Sequence, residues 1–372
     1  MFENLKKEKF VTLVLTHQCN LRCSYCYEKH KDNMKMSFDT ATKIIDDEFE
    51  KDDGSEFIEF DLFGGEPFLE YDLIKSLVEY TKNRMFTKNY IFFITTNGVL
   101  LDDDKKEWLK ANTKYLQCCL SLDGTRDMHN VNRSNSFDLI DIDFFVKTYP
   151  EQEVKMTISN KTLPFLAEGV IFCHKLGLPV SCNLAYGIDW SDSKNQNILT
   201  DQLILLMDFY LDNPQYYPCL MLDPMRILNL CITEQKQIRV CGAGYTMRAY
   251  DYDGSYYPCQ HFLPLSVGQT KAKQSLLIEF PELDIKDRTY DSSCSSCSIS
   301  NICMTCFGAN YAATGNIYQP DVNMCQLFKI QFKATAYFTS LLFKKGILED
   351  YCHEKSPTVL KSALMIDRLI KI

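Results

Sequence analysis

Apolar runs rich in β-branched and aromatic residues recur through the first half of the chain, at Phe10–Leu15, Phe57–Phe63, Tyr90–Thr95, Leu116–Ser121, Val154–Ser159 and Val180–Ala185. Between them the apolar positions change to helical spacing. After Ser37, a side chain suited to cap a helix, Ala41, Ile44, Ile45 and Phe49 share one face. Leu73, Ile74, Leu77, Val78 and Thr81 do the same within Tyr71–Met85, and Lys105–Ala111, Phe137–Lys147 and Leu163–Leu176 fill the later gaps. Strand and helix alternating six times predict parallel βα units. Right-handed crossovers then allow an open doubly wound sheet or a curved, partial barrel. In both, chemistry belongs at the C-terminal ends of the strands.

The alternation stops near Tyr186. Asp189–Thr200 reads as a polar loop, and Asp201–Tyr210 as a helix carrying Leu203, Leu205, Leu206 and Phe209. Cys241–Asn323 is a texture of short aromatic stretches, turns and paired cysteines, the kind of region that needs metal staples to fold. From Leu327 the pattern is helical and basic, with eight Lys and Arg against four acids from residue 328 on. Over the 372 residues, 40 Lys and Arg face 49 Asp and Glu, a formal charge of −9, which argues against nucleic acid as a partner. No apolar run approaches a membrane span, and the N-terminal apolar stretch is too short for a signal peptide, so a cytoplasmic protein is expected.

Seventeen cysteines change that picture. In a reducing compartment clustered cysteines read as metal or redox ligands. Cys118, Cys119, Cys173, Cys182, Cys219, Cys231 and Cys352 are scattered and read as small buried hydrophobes. The others fall in motifs. Cys19, Cys23 and Cys26 follow the first strand in the spacing C-x3-C-x2-C. Three thiolates on one loop suit three irons of a [4Fe–4S] cubane, with the fourth iron open. The competing reading is a zinc loop that recruits His17 or His30.

With Tyr25 before its last cysteine, this loop resembles that of the radical S-adenosylmethionine (SAM) enzymes. Further motifs follow in the family's order: Gly64-Gly65-Glu66-Pro67 after the second strand, Thr95-Thr96-Asn97-Gly98 after the third, and Ser121-Leu122-Asp123-Gly124 after the fourth, with Arg133 beyond. The resemblance covers about residues 10–190 and implies a partial (β/α)6 TIM-like barrel. It implies that Tyr25, Gly64, Gly65, Glu66, Thr96, Asn97, Ser121, Asp123 and Arg133 bind the cofactor, Glu66 meeting the methionine amino group and Ser121 and Arg133 its carboxylate. It also implies reductive cleavage of SAM to a 5′-deoxyadenosyl radical that takes hydrogen from a substrate.

The later cysteines read Cys241-x12-Gly254-x4-Cys259, then Cys294-x2-Cys297-x5-Cys303-x2-Cys306, then Cys325. This resembles the SPASM extension and implies two auxiliary [4Fe–4S] clusters, one on Cys294, Cys297, Cys303 and Cys325, the other on Cys241, Cys259 and Cys306. The two-residue gap before Cys306 departs from the family's three. Seven cysteines leave an eighth position to Cys231, Cys219, a non-cysteine ligand or an open iron, and the last two are favoured because no cysteine lies between Cys241 and Cys259. Taken alone, Cys294–Cys306 also reads as a four-cysteine zinc knot. The expected divisions are a barrel over 1–190, a helical linker over 191–235, a cysteine-rich SPASM domain over 236–327 and a helical segment over 328–372.

SPASM enzymes of this size mostly act on peptides, so the resemblance implies a peptide substrate. The sulfatase-maturing class places an acid after the cysteine of G-x4-C, where this chain has Gln260, a side chain that does not accept a proton near neutral pH. His261 is the substitute base to examine. The leading expectation is a maturase that crosslinks or otherwise oxidises a ribosomally made precursor peptide, fed by a flavodoxin- or ferredoxin-type reductant. With the first motif at Cys19 there is no room for a leader-binding domain ahead of it, so a separate leader-binding protein is an expected partner. The alternatives are an anaerobic sulfatase-maturing enzyme and, in another class, an iron–sulfur electron carrier or sensor that ignores SAM.

Overall fold

In the computed structural model the first apolar run becomes strand β1, Glu8–Thr16, and the next three become β2, Phe57–Gly64, β3, Asn89–Thr96, and β4, Leu116–Leu120. The residues described are 7–232, 237–238, 241–280, 284–285, 294, 297, 299–300, 303 and 305–369. They fall into two units. The first comprises Met1–Ser121, Arg133–Gln152 and Cys241–Leu283, the second Leu122–Asn132, Glu153–Val240 and Asp284–Ile372.

The first unit is built on a six-stranded sheet. Its β1 to β4 lie side by side in chain order and parallel, with Val11 level with Phe60 and Phe60 with Phe92. On the other flank of β1 the cysteine-rich half supplies β7, Met247–Tyr250, parallel to β1, and β8, Tyr256–Tyr257, antiparallel to β7. One face of the sheet buries Val11, Leu13, Ile58, Phe60, Leu62, Phe92 and Ile94. Helices α1, Phe38–Glu50, and α2, Tyr71–Lys82, bring Ile45, Phe49, Ile74, Leu77 and Val78 to the same core, with the Phe49 and Phe60 rings 5.5 Å apart. Each such side chain contributes roughly 1.5–3 kcal/mol of burial. Ser37 caps α1 as the pattern requires, its Oγ accepting from Thr40 N at 3.0 Å. Helix α3, Asp103–Ala111, follows β3. The single helix expected over Phe137–Lys147 is instead a short turn, Phe137–Leu139, followed by α5, Ile142–Thr148. Asp141 restarts the helix there, accepting from Phe144 N at 3.1 Å.

In the second unit, helix α4, Arg126–Asn132, precedes the parallel pair β5, Val154–Ile158, and β6, Val180–Leu184, with α6, Leu166–Lys175, between the two strands. All six expected βα strands therefore form, and the fold is mixed α/β with a parallel central sheet. Helix α7 runs from Lys194 to Asp212, so the expected loop Asp189–Thr200 is helical from Lys194 onward. Its polar first turns hide a buried stripe of Asn195, Leu199, Leu203, Leu206 and Tyr210. Tertiary contact overrides propensity here. In the last part of the chain α8, Phe307–Thr314, precedes the long α9, Val322–Lys345, which starts ahead of the expected Leu327 and so carries Cys325 in its first turn. Among the described residues no helix is long and apolar enough to cross a membrane.

One charged cluster fastens the first unit. Glu48, on the buried side of α1, has a fully buried carboxylate that accepts from Lys9 Nζ at 2.9 Å and from Arg248 Nη1 at 3.1 Å, and also from Lys51 and Tyr250. It joins α1 to β1 and β7. Burial alone would raise its pKa, but hydrogen bonds from Lys51, Tyr250 and Lys9 and the charge of Arg248 bring it down to about 2. Glu48→Gln is expected to cost about 1–3 kcal/mol at neutral pH, read from the urea midpoint, because it removes the charged acceptor shared by Lys9, Lys51 and Arg248 while Asp53 still pairs with Lys9. The stability that Glu48 contributes is complete above the ordinary value of 4.5 and is lost as pH falls through 2. The gap between variant and parent closes over that window, and a gap that stays constant there would contradict the assignment.

Candidate functional site

The loop after β1 leaves and returns at one place. Thr16 bridges to Lys35, His17 N donates to Met34 O at 3.0 Å, and Met36 N donates to Leu15 O at 2.9 Å. Cys19, Cys23 and Cys26 lie between these closures, half-buried. Burial pushes the Cys19 thiol up to about 11, against the amide of Leu21 and the charge of Lys31. Cys26 Sγ accepts from Lys31 Nζ at 3.1 Å. The zinc reading loses its nearest extra ligand, since His17 Nε2 is 2.6 Å from Asp251 Oδ1 and Nδ1 is 2.8 Å from Asp32 Oδ1. His30 lies against Gly268.

The loop rests on the end of β2, backbone to backbone. Gly65 N donates to Thr16 O at 3.0 Å and Glu66 N to Gln18 O at 2.8 Å. A Cβ on Gly65 would stand 2.2 Å from Gln18 O and 2.9 Å from Cys19 Cβ. On Gly64, whose φ is +151°, it would stand 2.2 Å from Thr16 O. These are the contacts that only glycine permits.

Glu66 is 1% exposed. Its Oε1 accepts from Thr96 Oγ1 at 2.7 Å and Phe68 N at 3.2 Å, and Oε2 from Asn97 N at 2.9 Å. Burial raises its pKa, while these bonds and the charge of Arg133 oppose the rise. Asn97 Nδ2 then donates to Asn20 Oδ1 at 2.8 Å, so the third strand's motif reaches back to the cysteine loop. Ser121 N donates to Thr96 O at 2.8 Å. Arg133, 7% exposed, places its guanidinium 5.5 Å from the centre of the Tyr25 ring, and next to it Ser134 Oγ accepts from Arg22 N at 2.9 Å. The first unit thus gathers the three cysteines, Tyr25, Gly64, Gly65, Glu66, Thr96, Asn97, Ser121 and Arg133. Asp123 belongs to the second unit, where its buried carboxylate accepts from Thr157 N at 2.9 Å and Asn132 Nδ2 at 3.1 Å.

The second unit holds another donor set. Cys294, Cys297, Cys303 and Cys325 line one cavity with Thr305, Phe328 and Lys329. Burial pushes Cys325 up to about 12, and Cys303, Cys294 and Cys297 add to the rise while Lys329 opposes it. Four cysteines around one cavity supply the soft donors that a soft metal or an iron–sulfur cluster takes, although among the described residues no three of them are drawn together into a formed metal site. Cys306 caps α8, its Sγ 3.4 Å from Ala309 N. In the first unit Cys241 and Cys259 flank the β7–β8 hairpin, closed by Gly244 N donating to Pro258 O at 2.9 Å. Of the candidate eighth ligands, Cys219 is buried beside Tyr210, whose hydroxyl accepts from Cys219 N at 2.8 Å, and the Cys231 side chain lies outside the described residues.

His261 packs against Tyr27 with ring centres 4.4 Å apart and the rings tilted by 34°, and burial brings its imidazole down to about 4, so it is neutral near pH 7. Gln260 Oε1 is buried without a hydrogen-bond partner among the described residues. The sequence patterns did not mark Asn20, Glu28, Lys31, Asp32 or Asp251 as parts of this site. Only Glu28 and Lys31 left a trace, as charges following the last cysteine. Gly65→Ala is expected to cost ~1–3 kcal/mol of stability, as overpacking does. It should also lower the iron bound per chain after reconstitution, and parent-like iron content would contradict the close approach.

A family profile described as a 4Fe-4S single cluster domain matches residues 9–139. An uncharacterized protein of Methanocaldococcus jannaschii is 29% identical over 177 residues, 46% of this chain and 60% of that protein. The radical SAM cyclopropyl synthase TigE of Paramaledivibacter caminithermalis is 22% identical over 374 residues, covering 92% of this chain and 76% of its own. A cysteine-type anaerobic sulfatase-maturating enzyme of Clostridium perfringens is 30% identical over 138 residues, 35% of each chain. In fold the chain is similar to native anSMEcpe with bound AdoMet and Cp18Cys peptide, at a TM-score of 0.70, 17% identity and coverage of 91% of this chain and 99% of that one. It is also similar to Streptococcus suis SuiB bound to precursor peptide SuiA, at a TM-score of 0.53, 19% identity and coverage of 86% and 76%. In sequence the chain is thus similar to radical SAM enzymes over part or most of its length, and in fold it is similar to anSMEcpe and SuiB.

Proposed function

We propose that this chain is a radical SAM peptide maturase that forms a carbon–carbon or thioether crosslink, or a related oxidation, in a ribosomally made precursor. The observation that carries the SAM site is the state of Glu66. Its carboxylate is buried yet, among the described residues, accepts from neutral donors, Thr96, Asn97 and Phe68. A ligand ammonium would be its first charged hydrogen-bond donor. Arg133, nearby and of opposite charge, suits a carboxylate together with Ser121. An α-amino acid moiety offers both groups at once, and the half-buried thiols of Cys19, Cys23 and Cys26 suit three irons of a [4Fe–4S] cluster. When bound together, cluster and SAM supply a carbon radical able to abstract hydrogen from the substrate. Tyr25 packs under Arg133 and steadies it, Gly64 and Gly65 hold the loop against β2, and Thr96 and Asn97 orient Glu66. Asp123 shapes the turn after Leu122 through Thr157 and Asn132.

Two auxiliary [4Fe–4S] clusters complete the reading. One is assigned to Cys294, Cys297, Cys303 and Cys325, which share a cavity, and the other to Cys241, Cys259 and Cys306 with a non-cysteine ligand or an open iron. A crosslink requires loss of two electrons, which gives these clusters a purpose. The functional divisions proposed are a SAM core over 1–190, a linker over 191–235, an auxiliary region over 236–327 and a helical end over 328–372. A cytoplasmic setting, a flavodoxin- or ferredoxin-type reductant and a separate leader-binding protein go with this reading. Sulfatase maturation is supported by the Clostridium perfringens relative and opposed by Gln260, which has no proton to exchange near neutral pH.

Co-expression with each small open reading frame beside the gene, with Cys19→Ala as control, tests the proposal. A peptide lighter by two hydrogens, with a fragment-free stretch between two residues, is expected. Unchanged masses under conditions where SAM is cleaved would overturn the crosslinking activity and bring sulfatase-type substrates forward. Glu66→Ala is expected to weaken SAM binding about tenfold to a hundredfold, read by equilibrium dialysis, the loss expected for one hydrogen bond between charged groups. An electron carrier that ignores SAM would show no such change.

A further inference from the structure

The cysteine loop carries a cation that its motif does not explain. Residues 27–31 fold back sharply, Lys29 N donating to Tyr27 O at 3.0 Å and His30 N to Leu265 O at 3.0 Å. The fold-back brings the Lys31 side chain over the thiols. Its Nζ is 3.1 Å from Cys26 Sγ and 3.8 Å from Glu28 Oε2, and it lies close enough to Cys19 for their charges to interact. Glu28 is nearly inaccessible, its side chain 7% exposed, while that of Lys31 is 26% exposed. An ordinary surface ion pair between residues three apart contributes little and leaves both heads in water. Here the ammonium is instead turned inward, anchored from below by a buried carboxylate and aimed at a ligand sulfur.

We propose that Lys31 is a positioning residue that sets the reduction potential of the cluster on Cys19, Cys23 and Cys26, by donating a charge-assisted hydrogen bond to the Cys26 sulfur from an anchor provided by Glu28. The inference rests on the reading of that loop as a [4Fe–4S] site. Its physical basis is simple. One-electron reduction adds a negative charge shared with the ligand sulfurs, and a donor carrying positive charge stabilises the reduced form more than the oxidised form. Partners of this kind, one step beyond the ligands, tune a metal site without touching the metal. Removing the ammonium therefore makes the cluster harder to reduce. The partial exposure of Lys31 admits screening, so the effect should shrink as salt is raised.

The test is a redox titration of the reconstituted full chain followed by electron paramagnetic resonance, on the signal that SAM perturbs and that Cys19→Ala abolishes. Lys31→Met removes the charge and the donor at similar volume. Lys31→Gln keeps a neutral donor, and Lys31→Arg keeps the charge. At the potential where the parent is half reduced, Lys31→Met with full iron content is expected to lower the reduced-to-oxidised ratio about tenfold, which is 59 mV for one electron. Lys31→Arg should restore most of it. If Lys31→Met loses iron, Lys31→Gln against Lys31→Arg gives the same reading, with the ratio falling only in the neutral variant. A midpoint unchanged in a neutral variant that holds its cluster overturns the role of Lys31. A parent chain with no SAM-perturbed signal would instead overturn the reading of the loop as a cluster site, a separate failure.

Discussion

Two strand ends meet backbone to backbone where β1 gives way to the cysteine loop, and the site depends on that meeting. Gly64 and Gly65 leave no room for a side chain against Thr16, Gln18 and Cys19. Because the approach is so close, Gly65 and Glu66 can use their amides on the loop's own carbonyls. From there the hydrogen bonds run through Glu66 to Thr96 and Asn97, and through Asn97 back to Asn20 on the loop. A loop that would otherwise cost entropy to order is thereby held at its neck and along its length. The loop that carries the three thiols and the strand end that carries the carboxylate are thus fixed to each other before any ligand arrives, the kind of preorganisation that binding and catalysis both use.

Two buried glutamates show how partners decide what burial does. Glu48 and Glu66 are both withdrawn from water, yet burial and contacts bring the first down to about 2 and leave the second raised. Burial penalises the charge in each. Glu48 meets Lys9, Lys51 and Arg248, which neutralise it, and so it fastens a helix to a sheet. Glu66 meets an alcohol and two amides, which orient it without neutralising it. The first is an internal rivet, whereas the second is oriented by its partners and left for a charged group that comes from outside. Lys31 stands in the same relation to the thiols as Lys9 does to Glu48, a cation supplied by the chain where negative charge gathers.

The joining of the cysteine-rich half to the sheet follows a similar logic. Strand β7 lies parallel to β1, and the hairpin after it carries Asp251 to the His17 imidazole at 2.6 Å. Residues far apart in sequence thus share the neck of one loop. The segment between Cys241 and Cys259 is so tied to the strand that leads into Cys19, within a single packing unit.

Much of this was legible in the chain. The apolar runs placed six strands within a residue or two of their observed ends, since β-branched and aromatic residues clustered between turn residues report burial directly. The cysteine spacings, Gly64-Gly65-Glu66 and Asn97 were readable because ligation and close backbone approach restrict residue type locally. What could not be read were contacts between residues distant in sequence, such as the clasp of His17 by Asp251, the turning of Glu48 into a core and the return of Asn97 to Asn20. The helical start of α7 was missed for the same reason, because its polar first turns are stabilised by a stripe that only packing buries. Sequence by itself determined the strands, the donor atoms and their order, because these follow from local spacing. Tertiary structure alone decided which charges are neutralised and which stay available, because that depends on what burial brings within a few ångströms of each group.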